Sequence, residues 1–595
     1  MYIDKESRNA INFILLIGVA VTLYINPRLQ DPINSPKLWV LILSVPITLS
    51  YLIFNYKKLL EFKAVALMSL LFIFSLIAVF LNTDNKIVGL IGDVQRRNGI
   101  ITYLALIFIW LLTVIFYNPN QLSSIKKYIY ILGFCLSVYG LAQSLGFDFI
   151  KWQNPYNQVI ATLGNPNFSA AMMAILITFI TPILFDQKIS NYERLFAFFL
   201  SGLLIYVMLQ TQAKQGILAT ICGLMIFIYY RFVSEKKIIK NIYIIFTSLL
   251  IITSVLGMLQ KGPLTHLLYK DSVSVRGYYW RAALKMFESH PLLGVGMDRY
   301  LYYFKEYREV NYPIKYGFNI TSSNAHNLFL QFFGTGGALL GSAYLIIVFF
   351  TFFAGLKSIK KTSSENEKKL LVGIFSSWIA YQAQSLISID NIGVSIWGWI
   401  FSGLLIGATW DRRKLKIYQQ SKHANLVNLR QILSLFLLIP IIFLVSKLNW
   451  VESSTYLARG EIASEQMNNP IVDRVISNNL SDLNYKVLIA SDLYKVGNLK
   501  KATSILERVV SQDSRNDDAL NSLAFIYESQ SQLNDANRIR LKLSKLDPWG
   551  ASNLLQLGLN YKTLGEVNLM NQTREKILSF AANTEVGKRA LAELV

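Results

Sequence analysis

The sequence predicts an all-α membrane protein. It reads as a polytopic transmembrane helical bundle of about 12–13 spans, with a large extracytoplasmic loop and a C-terminal α-solenoid. Three observations carry this. Of 595 residues, 53% are hydrophobic and only 16% charged, the balance of a chain solvated by lipid. Apolar runs long enough to cross a bilayer recur through the first 450 residues. Beyond Trp450 they stop, and a repeat of 34 residues begins.

Spans of roughly 20 apolar residues fall near 10–26, 38–55, 63–81, 99–117, 128–146, 167–185, 194–210, 215–230, 241–259, 325–354, 370–388, 392–410 and 431–447. The first run, Ile11 to Ile25, is followed by Asn26-Pro27-Arg28 without a small-x-small cleavage pattern, so it is expected to remain as a span. The chain divides into N-terminal transmembrane helices (1–89), a transmembrane core (90–447) holding the long loop 260–323, and a helical-repeat segment (451–595).

Charge sets the expected orientation. The connections at 56–63, 118–127, 186–194, 231–240, 355–369 and 411–430 carry 22 Lys/Arg. The alternate connections at 27–37, 82–98, 147–166, 211–214 and 389–391 carry 7. The positive-inside rule then places the amino terminus in the cytoplasm, with the 260–323 loop and everything after Trp450 outside. The formal net charge of +22 lies wholly in the membrane part, because residues 451–595 hold 17 Lys/Arg and 17 Asp/Glu. Most of it sits in short connections rather than on one basic face, which argues against a nucleic-acid partner. Cys135 and Cys222, both in apolar runs, support neither a disulfide framework nor a metal site.

Polar clusters gather on the predicted outer side. Gly92-Asp93-Val94-Gln95-Arg96-Arg97-Asn98-Gly99 precedes the fourth span, Leu163-Gly164-Asn165-Pro166-Asn167 opens the sixth, and Thr211-Gln212-Ala213-Lys214-Gln215-Gly216 joins the seventh and eighth. Gly, Asn and Pro are also ordinary turn residues, and tight turns are the plainer reading. Arg96, Arg97 and Lys214 differ, because outer cations run against the charge rule and call for an anion or a structural partner.

In the tail, Ala490, Leu493, Gly497 and Ala502 recur as Ala524, Tyr527, Ser531 and Ala536, then more weakly as Gly558, Tyr561 and Gly565, with Met570 breaking the pattern. Asp513-Ser514 becomes Asp547-Pro548. The period resembles tetratricopeptide repeats and predicts paired helices with a concave, protein-binding surface.

The outer side is not expected to hold nucleotides, and its loops lack a D-x-D pair or a metal-ligand spacing. They offer guanidinium, ammonium and imidazole instead. Arg donates two parallel hydrogen bonds to a phosphate, so a lipid-linked diphosphate fits both place and residues. Of the outer histidines His266, His290 and His326, the last is expected in the first turn of an apolar helix, behind the capping run Ser322-Ser323-Asn324. That makes it the candidate general base, against the alternative of a histidine bonded to a loop carbonyl. Arg276 and Arg281, five apart, would point about 140° from each other on a helix. Arg281 shares a face with Lys285, so a solvated basic face paired by Lys285 and Glu288 is its alternative reading.

The run RGYYWRAALKMFESHPLLGVGMDRY, followed by NAHNLFLQFFGTGGALLG, resembles the core of the O-antigen ligase and O-antigen polymerase superfamily, and GDVQRRNG, TLGNPN and TQAKQG look like further motifs of it. The resemblance covers roughly residues 90–410. It implies a metal-independent glycosyltransferase without a cofactor, in the cytoplasmic (inner) membrane of a bacterium. The glycan would pass from an undecaprenyl-diphosphate carrier to a hydroxyl on a lipid, glycan or protein acceptor. By position His326 would be the base, and Arg276, Arg281, Lys214, Arg97 and Arg96 would bind the donor diphosphate. Asn327, His290 and Gln212 would support them. Lys214 stands where the family usually has Arg, and Phe333-Gly334-Thr335-Gly336 stands where an acidic residue is often found. Rival classes are a transporter of lipid-linked sugars, disfavoured by the scarcity of mid-span charge, and an envelope scaffold using the repeat tail.

Overall fold

The computed structural model describes residues 2–148, 150, 152, 158–258, 262–263, 271–410, 423–464 and 470–595, and every regular element in them is helical. Each predicted span falls on a helix. Ten described helices are long and apolar enough to cross a membrane, and Ile100–Phe116 and Ile392–Gly407 are shorter apolar ones. Glu365–Ser385 carries Glu365, Glu367, Lys368 and Lys369 at its start, which lowers its hydropathy although its remaining length is largely buried.

Small residues bring the central helices together, as expected where lipid supplies no hydrophobic drive between them. A Cβ on Gly216 would lie 2.6 Å from Ala170, and one on Gly223 would lie 2.6 Å from both Ser376 and Thr178. Helices Pro166–Leu184, Lys214–Ile228 and Glu365–Ser385 pack on one another there. Leu67, Phe246, Phe436 and Ile439 stay exposed along their helices, a lipid-facing surface.

Contacts gather the two sets of connections at two ends of the bundle. At one end the Tyr117 hydroxyl donates to Glu367 at 2.9 Å and Lys369 pairs with Asp186 at 2.7 Å. At the other, residues 84–98, 298–320 and the repeat tail meet.

The long loop is a folded subdomain rather than an open excursion. Asp271–Ser289, Tyr300–Tyr307 and Asn311–Tyr316 are helices around a core of Ala282, Met286, Tyr300, Phe304 and Tyr312. The span expected at 325–354 is the helix Leu328–Lys361, interrupted at Gly337. Residues 291–296 enter that break. The Ala338 amide donates to the Pro291 carbonyl at 2.7 Å, and the Gly296 amide to the Thr335 carbonyl at 3.0 Å. Gly337 (φ +65) and Gly294 (φ +63) are required here. A Cβ on either would sit 2.3 Å from the opposing backbone. Freed carbonyls of the broken helix are thus satisfied by the subdomain itself.

One helix, His423–Ala463, runs across the expected boundary near 447–451. In the tail, helices start at Leu483, Asp517, Ala551 and Glu585, and between them at Leu499, Leu533 and Val567. The sequence period of 34 is therefore the spacing of helix starts. Gly497, Ser531 and Gly565 take the same left-handed turn position.

Candidate functional site

His326 lies just before the helix rather than in its first turn. Asn327 is the N-cap, its Oδ1 accepting from the Leu330 amide at 3.0 Å, so the role assigned to it by structure is capping. The Asn324 Oδ1 accepts the His326 amide at 2.9 Å, the Ser322 hydroxyl donates to the Asn324 carbonyl at 2.8 Å, and the Gln331 Oε1 accepts the Ala325 amide at 2.9 Å. These bonds hold His326 at φ +51, an uncommon backbone state for a residue with a Cβ, and aim its half-buried ring at the Asp271–Ser289 helix. There it stacks on Tyr279, with centroids 5.3 Å apart and planes at 26°.

Tyr279 and Arg276 are three apart on that helix and share a face. The neighbourhood of His326 is positive. Burial first, then Arg276 and Arg96, push its imidazole down to about 3, which favours the neutral ring. Burial also lowers Arg276, whose guanidinium has no hydrogen bond or carboxylate partner among the described residues. A desolvated cation without a counter-charge is costly, and an anion placed there would relieve it.

The remaining candidates are placed elsewhere. Arg281, on the other side of the same helix, pairs with Glu309 at 2.8 Å and lies over the Tyr278 ring. The exposed His290 Nδ1 lies 2.9 Å from the Ser289 hydroxyl. Lys214 is exposed at the start of its helix, and Gln212 accepts from Gln158 at 3.0 Å. Neighbouring Gln215 donates to the Asn167 carbonyl at 2.9 Å, which ties this turn to the sixth-span cluster rather than to His326. His266 lies outside the described residues.

Of the two expectations for Arg97, an anion or a structural partner, the structure supplies structural partners. Arg97 is buried, with Nη2 2.5 Å from Glu452, Nη1 3.8 Å from Asp482, and a bond of 3.0 Å to the Tyr485 hydroxyl. Its guanidinium is committed to the helix leaving the membrane and to the first repeat helix. Two further buried arginines join the subdomain to the tail. Arg299 pairs with Asp513 at 2.6 Å and Asp84 at 2.7 Å. Arg308 binds both oxygens of Asp547 at 2.9 and 2.7 Å, and the Phe318 and Ile320 carbonyls. Asp513 and Asp547 are equivalent positions of successive repeats, each ending a helix. At these points the repeats are held by the chain's own loop.

One acidic residue near the site carries no sequence signal. Asp298 (φ +54) is buried, and its Oδ2 accepts the Asp93 amide at 2.7 Å. Burial, then the Asp93 charge, push its carboxyl up to about 7, against an opposing pull from Arg96. A raised carboxyl contributes stability that is full below its unfolded value near 3.8 and is lost as pH rises through 7. Asp298→Asn keeps the acceptor and tolerates the left-handed backbone. It is expected to be more stable than the wild type at pH 8, by up to roughly 4 kcal/mol, with the gap closing toward pH 4. Unfolding midpoints at the two pH values check this.

Residues 169–345 match the Wzy_C family model, O-antigen ligase. The match spans the central helices, Lys214, the whole subdomain with Arg276 and Arg281, and the His326-Asn327 helix start. Arg96, Arg97 and the repeat tail lie outside it. No curated protein matches the chain. The match to the O-antigen ligase model suggests a glycan-transfer role, and the many apolar helices suggest a multi-pass membrane protein.

Proposed function

We propose that the protein transfers a glycan from a polyprenyl-diphosphate carrier of the undecaprenyl type to an acceptor hydroxyl. The observation that carries this is the His326 ring stacked on Tyr279, three residues along the same helix face from Arg276, whose guanidinium has no carboxylate partner among the described residues, all within the segment that matches the O-antigen ligase model. The acceptor oxygen gives its proton to His326 and attacks the anomeric carbon. The bond from that carbon to the diphosphate breaks, and the leaving charge is held by Arg276 and Arg96. Donor and base are then coupled. A diphosphate against the two arginines cancels the charges that depress His326, and so raises its basicity in the complex. Lys214 and Arg281 belong to the wider donor path, and Arg97 to the brace.

The excess of Lys/Arg in the opposite connections supports a site on the outer face of a bacterial cytoplasmic membrane. The 34-residue helix spacing supports a tetratricopeptide-type tail on the same face. A reporter active only outside the cytoplasm is expected to work within 300–320 and to fail near Lys360. The reverse pattern would place the site inside. Ligase, polymerase and protein-glycosylating enzymes differ in acceptor, and all three use this chemistry.

Arg276→Ala tests the donor site. It is expected to raise the donor KM at least tenfold, and Arg276→Lys to recover part of the loss, because charge remains while the bidentate fork is gone. Normal use of limiting donor by Arg276→Ala would remove the diphosphate from this position.

A further inference from the structure

A cavity of about 230 Å³ lies between the subdomain and the repeat helices, lined on one side by Tyr302 and Phe318 and on the other by Leu555 and Val586. Every cation on its wall is already paired. Lys305 meets Asp517 at 2.5 Å, Arg515 meets Glu306, Arg540 meets Glu528 at 2.8 Å and Arg589 meets Glu593 at 2.8 Å. Of its two aspartates, Asp517 is the partner of Lys305 and Asp547 is held by Arg308 at 2.7 Å. A charged ligand would find no uncommitted counter-charge. Uncharged donors and acceptors do remain open. Asn319, Ser552 and Gln556 line the cavity, and no hydrogen bond holds their side chains among the described residues.

The cavity and the His326 site border the same cluster of side chains. Arg308, which holds Asp547, lies over Tyr312 at 5.9 Å. Tyr312 is 5.9 Å from Tyr279, and Tyr279 carries the His326 ring. The cavity thus shares packed side chains with the His326 site.

We propose that this cavity is a second saccharide subsite, taking one neutral sugar residue of the donor or acceptor glycan. The proposal rests on the glycan-transfer reading. Each wall cation already has a carboxylate partner, which disfavours a free anion, while free amides and a hydroxyl beside Phe318 and Tyr302 suit an uncharged polyol with apolar faces. The volume, just under the roughly 300–1,000 Å³ of ordinary small-molecule sites, fits one sugar unit rather than a long segment.

Two measurements on the full-length protein test it. A photo-crosslinking side chain in place of Gln556, in cells making the glycan, is expected to trap an adduct that periodate oxidises and protease leaves intact. A protease-labile adduct means a polypeptide occupant, and either that or no adduct overturns the proposal. In the second, the double variant Asn319→Ala/Gln556→Ala is expected to raise KM about tenfold for one glycan substrate with kcat unchanged. Separate titration of donor and acceptor says which glycan it is. Wild-type transfer that needs His326 but ignores the double variant overturns the subsite alone. Absence of wild-type transfer instead removes the underlying reading, and the crosslink still decides the cavity.

Discussion

Replacement of His326 by alanine is expected to lower glycan transfer about 10²–10⁴-fold, the usual share of a positioned general base, roughly 3–5.5 kcal/mol of barrier. His326→Gln keeps a hydrogen-bonding side chain but cannot take up the proton, and should be nearly as inactive. Neither change touches the cap at Asn327 or the Asn324 turn, so folding and membrane insertion should survive. The left-handed backbone at this position also disfavours most replacements slightly, by an amount far below the predicted rate effect. His290→Ala, at an exposed ring bonded to Ser289, should be mild. In the free enzyme the imidazole is already neutral from pH 5 to 8, since burial, Arg276 and Arg96 hold it near 3. The pH profile of kcat/KM should therefore show no histidine limb in that window, while that of kcat reports the donor complex, where the limb moves upward. A His326 ring titrating near 6.5 without donor would contradict the geometry.

Arg299→Ala is expected to have the largest structural effect, about 3–5 kcal/mol, because it leaves Asp513 buried without its guanidinium. Arg299 is 0% exposed and Asp513 is 2% exposed, and the pair joins the subdomain to the tail. Arg308→Ala should act similarly through Asp547. Removing both partners, as in Arg299→Ala/Asp513→Ala, should recover part of the loss, the signature of an unpaired buried charge rather than of lost packing. Protease sensitivity of residues 271–320 and the unfolding midpoint in detergent check this. A single variant as protected as the wild type would mean that the tail does not brace the loop.

How much could be read beforehand follows from the range of each interaction. The spans were legible because lipid imposes length and apolarity on every one. The repeat was legible because its period is the distance between helix starts. The divergence of Arg276 and Arg281 followed from helical angle alone, and the structure sends them to His326 and Glu309. The break at Gly337 was hidden in an apolar run, since only the approach of residues 291–296 makes it necessary. The partner of Arg97 was not legible, because Glu452 lies 355 positions away. Asp513 and Asp547 were visible as a repeated pair, but nothing local to either named Arg299 or Arg308. Asp298 sits in Gly296-Met297-Asp298-Arg299, where only burial distinguishes it.

The central claim is tested most directly by reconstituting the purified full-length chain in liposomes with a lipid-diphosphate glycan, labelled in the sugar, and a hydroxyl acceptor. Label should move to the acceptor as free polyprenyl diphosphate appears in equal amount, with a chelator present, and His326→Ala should abolish both. Donor left unconsumed by wild-type protein that is folded and correctly inserted, or consumed equally well by His326→Ala, would contradict it.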